Sequence, residues 1–224
     1  MRATLLIALA VPLLAVGCDD PADSVPAARM ETTPATPPEP AADEAAPEDD
    51  GTPMPPGALV MNTATSTLEM IGSKVTGSET LHLGEWSGYV DLREPFEQSV
   101  VRVDMQMTTI EAPIPRLTNH LRTDDFFDVE RFPTARFETT AFAAAPEGSE
   151  NATHLVTGHL TIRGVTQTIT FPVRVDVSDS EVHAQAQFAI DRQRWGISYR
   201  GMEDDLINDQ VVIRFDVHAP RDSG

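Results

Sequence analysis

From Ala58 onward, apolar and polar residues alternate with a period of two, the pattern of strands that cover one face and wet the other. Val101, Val103, Met105 and Met107 alternate with Arg102, Asp104, Gln106 and Thr108. Val156, Leu160 and Ile162 alternate with Thr157, His159, Thr161 and Arg163, with Gly158 on the apolar side. The same holds for Ile169 to Val177, for Val182 to Ile190 and for Val211 to Val217. Val182 to Ile190 alternates with His183, Gln185, Gln187 and Ala189, and Val211 to Val217 with Val212, Arg214, Asp216 and His218. Less regular segments at Thr67 to Ser73, Glu79 to Leu83, Trp86 to Leu92 and Ala135 to Phe142 raise the expected count to eight or nine strands. Gly164-Val165 marks a tight turn between two long strands. One stretch, Ile114 to Val129, reads as helical, with Pro113 and Pro115 at its start.

These elements predict an all-β fold: an antiparallel up-and-down β-barrel of about eight strands with a short helical insertion. Closure removes the exposed edges of such strands. A barrel of that size has room inside for side chains or one slender ligand. The charges Arg102, Asp104, Arg174, Asp176, Arg214 and Asp216 share the outer phase, the reverse of an outer-membrane barrel, whose outside is apolar.

Composition divides the chain before Ala58. Ala3 to Leu14 is apolar, follows Arg2 and is too short to span a bilayer; it reads as a secretory signal. Ala15-Val16-Gly17 then precedes Cys18, the one cysteine of the 224 residues. This resembles the bacterial lipobox, although Leu14 stands one place earlier than usual. Residues 1–17 are therefore expected to be a lipoprotein signal peptide. Cys18 is the expected acylated residue and membrane anchor, each buried methylene contributing about 0.8 kcal/mol. Residues 18–57 follow with ten of the 18 prolines and ten acidic residues against Arg29 alone. They read as a disordered tether, reaching about 35 Å as a coil and about 120 Å extended. Residues 58–224 are the expected barrel domain. The net charge of −19 excludes a nucleic-acid partner, which needs clustered Lys and Arg.

Three strings in the barrel resemble the YceI-like family. His120 to Phe137 is similar to that family's helix and following strand, and Val156 to Thr166 to its central hairpin. Asp191-Arg192-Gln193-Arg194-Trp195-Gly196-Ile197 resembles its Asn-Arg-x-x-Phe-Gly segment, with Asp191 and Trp195 in place of the usual Asn and Phe. The resemblance implies a lipocalin-like barrel, periplasmic or surface-facing, whose apolar tunnel holds a long-chain isoprenoid or similar fatty amphiphile without catalysis. It implies no cofactor. Candidate wall residues are Trp86, Val103, Met105, Met107, Phe126, Phe127, Phe137, Leu160, Ile162, Phe171, Phe188 and Trp195. Arg192 and His120 are the candidate headgroup donors, with a second reading for Arg192 as the anchor of its own loop through backbone carbonyls.

Other chemistry has little support. No H-E-x-x-H or comparable spacing joins the six histidines, so no metal site is expected, and His159, His183 and His218 fall on the wet phase. There is no G-x-S-x-G elbow. An enzyme acting on lipid would need titratable groups inside the barrel, and the apolar phases hold none. An envelope interaction module with a filled barrel stays open, as does a homodimer.

Overall fold

The computed structural model describes residues 20–30, 53–149 and 151–221. The expected signal peptide, Cys18 and residues 31–52 of the expected tether lie outside them. Two short strands come first, β1 (Arg29–Met30) and β2 (Leu59–Val60). The main wall follows as β3 (Thr67–Lys74), β4 (Gly77–Leu83), β5 (Trp86–Asp91), β6 (Val100–Gln106) and the two-residue β7 (Ile110–Glu111). After helix α1 (Pro115–Leu121) come β8 (Thr134–Ala144), β9 (His154–Ile162), β10 (Val165–Val177) and β11 (Glu181–Asp191). A small hairpin, β12 (Gly201–Met202) and β13 (Asp205–Leu206), precedes the last strand, β14 (Gln210–Pro220).

All strands of the main wall are antiparallel and form one curled sheet in the order β2-β5-β6-β8-β9-β10-β11-β14-β3-β4-β7. The curl brings its edges together. Met61 N–H donates to Gly88 O and Asn62 N–H to His218 O, so the chain after β2 bridges β5 to β14. The alternation sets the curvature's inside: Val101, Val103 and Met105 of β6 face inward, while Asp104 outside bridges Arg102 and Arg136 at 2.9 and 2.5 Å.

Two local details differ from the expectation. The β9–β10 turn is centred on Arg163 and Gly164, both with positive φ (51° and 71°), one residue earlier than Gly164-Val165. Positive φ at both positions is the twist-matched geometry of a two-residue hairpin. The helix is shorter than Ile114–Val129 and stops at Leu121. Beyond it Phe126, Phe127, Val129 and Phe132 are all buried, a spacing that no single helical face can satisfy. Asp128 at φ 47° lets the chain turn instead.

The largest correction concerns the tether. Residues 20–30 are docked on the barrel. β10 pairs with β9 along residues 165–173 but with β11 only along 174–177, which leaves a gap in the wall. β1 fills it, pairing Arg29 with Thr170 and Met30 with Ile169, while Ala27 bridges Ala189 on the other side. Ala28 N–H donates to Ala189 O, and Ala189 N–H to Pro26 O. Nearby, the Asp20 carboxylate accepts from Ser73 Oγ at 2.8 Å and Asn208 Nδ2 at 2.7 Å. The physical reason is an apolar row on the outer face. Ala189, Val212 and Ile71 stand side by side across β11, β14 and β3. All three are buried, at 2%, 1% and 9% exposure, although their phase is the wet one.

A chain beginning at Ala58 therefore loses that cover. Its melting temperature should fall roughly 5–10 °C below that of a chain beginning at Asp20. Replacing residues 31–52 by a Gly/Ser segment of equal length should leave the melting temperature unchanged. Scanning calorimetry on the three chains checks both statements.

Candidate ligand-binding cavity

Inside the curl lies a narrow cavity of about 150 Å³. Its walls come from every long strand and are apolar except for the hydroxyls of Ser99 and Thr139. Both oxygens already accept backbone N–H groups, Ser99 from Arg93 and Thr139 from Val101. No titratable side chain lines the cavity. Such a space recognises shape and apolar area only, at about 25 cal/mol per Å² buried before the cost of ordering.

Phe171 is the hub of the aromatic contacts in the cavity wall. Its ring stacks on Phe188 at 4.0 Å with planes 9° apart, and lies 5.6 Å from Phe137 and 6.2 Å from Phe215. Phe137 fits only because its neighbour is Gly158. A Cβ there would stand 2.6 Å from the Phe137 ring and 2.6 Å from Glu138 O. Phe96 and Phe142 make a second aromatic contact, edge on at 5.1 Å, where Phe96 also meets His154. Met61, Met70, Met105 and Met107 supply the flexible remainder of the wall.

Of the wall residues expected from sequence, Trp86, Val103, Met105, Met107, Phe127, Phe137, Leu160, Ile162, Phe171 and Phe188 lie on the cavity. The other two do not. Trp195 is buried to 1% exposure beside the barrel end, its indole N–H donating to Leu160 O at 3.0 Å. Phe126 packs in an aromatic group with His120 and Tyr199. The expected headgroup donors are also elsewhere. His120 is partly exposed and sits 2.8 Å from Asp125. Arg192 is 4% exposed and donates to the carbonyls of Asn208, Ile197 and Ile207 and to Asp209. Burial lowers its pKa, opposed by the Asp209 and Asp191 charges. Arginine nevertheless stays charged, and here it staples the segment between β11 and β14.

Phe215 lines the cavity in the same phase as Ile213 and Val217, so the alternation of β14 marks it. Met61 and Phe96 come from segments without a period and carry no such mark. A polar crevice of about 370 Å³ opens beside the cavity, lined by Thr63, Ser66, Glu69, His82 and Glu85. It shares Leu68, Leu83 and Trp86 with the apolar space, so these three form the partition between the two. His82 Nδ1 lies 3.5 Å from Glu69, which also holds Arg214.

The YceI-like domain pattern matches residues 59–219. A UPF0312 protein of Pseudomonas putida (strain W619) is 33% identical over 75 residues, 34% of this chain and 37% of the relative. One from Pseudomonas fluorescens (strain SBW25) is 33% identical over 89 residues, 39% of this chain and 44% of the relative. The matched stretch thus spans about two fifths of these relatives' length. Burkholderia cenocepacia BcnA superposes with a TM-score of 0.63 at 21% identity, over 71% of this chain and 99% of its own. A polyisoprenoid-binding domain from Saccharophagus degradans, implicated in plant cell wall breakdown, superposes with a TM-score of 0.58 at 18% identity, over 73% and 98%. At these identities the likeness is one of fold.

Removing the Phe171 ring should open the cavity. Phe171→Ala is expected to cost about 3–5 kcal/mol of stability and to raise the fluorescence of bound N-phenyl-1-naphthylamine severalfold. Gln185→Ala, on the exposed phase of β11, should change neither. Equal probe binding by both variants would mean that the probe reads another surface.

Proposed function

This chain belongs to the YceI-like domain family, and from that premise we propose that it binds a long-chain isoprenoid or similar amphiphilic lipid and carries or stores it without catalysis. The observation that carries the reading is the wall itself: a continuous apolar lining with no titratable group. A polyprenyl chain has no hydrogen-bonding groups, so such a wall asks nothing polar of it and desolvates no charge. The polyisoprenoid-binding description of the Saccharophagus degradans neighbour supports the same ligand class. The amphiphile's polar end would sit in the crevice beyond Leu68, Leu83 and Trp86, facing Glu69, His82 and Glu85.

The volume sets a condition. Pockets for drug-sized ligands usually measure about 300–1,000 Å³, and this cavity measures about 150 Å³. Loading therefore requires the Phe171–Phe188 stack to part and the methionines to repack. The same small volume favours the second reading, an envelope module whose barrel is simply full.

We further propose that Cys18 carries the acyl anchor and holds the barrel in the cell envelope, facing the periplasm or the surface. Asp20 is fixed on Ser73 and Asn208, and Cys18 stands two positions before it. Two extended residues span about 7 Å, so the anchor would hold this end of the barrel against the bilayer. That end carries exposed Val75, Met202 and Leu206, with Val75 N–H donating to Leu206 O across the two hairpins.

Two measurements test these readings. An organic extract of the purified protein should contain about one long-chain lipid per chain by mass spectrometry. Met105→Asp, whose wall charge also destabilises the fold, should carry less than about a tenth of that per mole of folded protein. A lipid-free wild-type extract would favour the filled barrel. Separately, Cys18→Ser should move the protein from the membrane fraction to the soluble one, and a variant still in the membranes would place the anchor elsewhere.

A further inference from the structure

On the outer face of β11 and β14, on the opposite side of the wall from the cavity, His183 and His218 are direct cross-strand partners. Their rings stack at 4.3 Å with planes 11° apart. Both Nε2 atoms aim at one oxygen, Asp216 Oδ1, at 2.7 Å from His183 and 3.2 Å from His218. The three ligand atoms lie within 4.8 Å of one another. The period of two creates this: Asp216 and His218 share a face of β14, and the register of β11 sets His183 beside them. The other nitrogen of His218, Nδ1, lies 3.1 Å from Glu181 Oε2. A carboxylate behind a ligating imidazole fixes the ring and directs its second nitrogen to the metal. On the flanks, Asp176 of β10 stands opposite His183 and is held by Arg174, and Thr67 of β3 stands opposite Asp216.

We propose that His183, His218 and Asp216 bind a borderline divalent cation, of which Zn²⁺ is the type, with Glu181 orienting His218. Two imidazoles and a carboxylate are the donor set such ions prefer. In a tetrahedral zinc site with bonds of about 2.0–2.1 Å, ligand atoms stand about 3.3 Å apart. The Asp216 oxygen stands 2.7 and 3.2 Å from the two ring nitrogens and all three atoms lie within 4.8 Å, so side-chain shifts with a tilt of the stacked rings toward each other reach this geometry. A metal takes a ring nitrogen only in its unprotonated form, so any proton on a ligating nitrogen leaves to solvent on binding. The side chains are partly exposed, at 24%, 28% and 50% for His183, His218 and Asp216, so ions can enter and water can take a fourth position. The net charge of −19 favours cation approach.

Titration calorimetry with zinc chloride on the purified protein, without a polyhistidine tag, tests the site. The wild type should bind one ion with micromolar affinity at about pH 7.5. His183→Ala and His218→Ala should each weaken binding at least tenfold, and Glu181→Gln roughly tenfold. His159→Ala, a histidine of the same outer face on β9, should bind as wild type does. Melting curves confirm that the variants fold, with His183→Gln as the substitute if His183→Ala does not. No binding by the wild type, or binding by the His183 and His218 variants as tight as the wild type's, overturns the site.

Discussion

One constraint organises the molecule: an inward side chain meets neither water nor a polar partner, so the inner phase of every strand must be apolar. An unpaired charge there would lose hydration worth several kcal/mol. The charged residues accordingly collect outside, where Asp104 bridges Arg102 and Arg136, and Glu69 holds Arg214. Because the side-chain period is two, a slip of one residue in any ladder would turn these groups into the cavity. The register is therefore enforced along the whole sheet, and it delivers two surfaces of opposite chemistry a few ångströms apart. Val217 and Ala184 face the cavity while their neighbours His218, Asp216 and His183 face solvent.

The same constraint explains which parts of the structure the chain discloses in one dimension. β6, β9, β10, β11 and β14 alternate cleanly, and their inward residues, Met105, Leu160, Phe171 and Phe188 among them, line the cavity. Alternation does not say what lies beyond a strand's end. Trp195 and Phe126 are as apolar as the wall residues, yet they pack outside the cavity: their segments are not strands, so no alternation tells which way a side chain points, and Phe127 next to Phe126 does line the cavity. For Arg192 the sequence offers two roles, headgroup donor or anchor of its own loop through backbone carbonyls, and the structure shows the second, with three carbonyl partners from residues 197–208. The docked segment 20–30 was hidden by its composition, which is that of a disordered tract. Its mark was on the receiving side: Ala189 and Val212, uncharged in a wet phase, became meaningful once Ile71 joined them across the register.

The cavity holds two opposing demands. Phe137, Phe171, Phe188 and Phe215 give the barrel a packed centre, and Gly158 is the concession that lets Phe137 lie flat against the wall. A ligand must displace part of that packing. Four methionines in the wall lower the cost, because the thioether side chain has many rotamers of similar energy. For the lipid-binding role proposed above this balance means that the empty barrel would stay closed and folded, and an apolar chain would replace ring contacts with its own. The segment at β1 adds a further element, since it plugs the wall between β10 and β11 where two strands part.

The most direct measurement is diffraction from crystals grown with an ω-brominated long-chain isoprenoid alcohol, whose bromine is located by anomalous scattering. The account predicts one bromine site inside the curl, among Phe137, Phe171 and Met105, with the Phe188 ring rotated away from Phe171. Bromine found only in the polar crevice by Glu69 and His82, or on the outer face, with the aromatic stack unmoved, would contradict it.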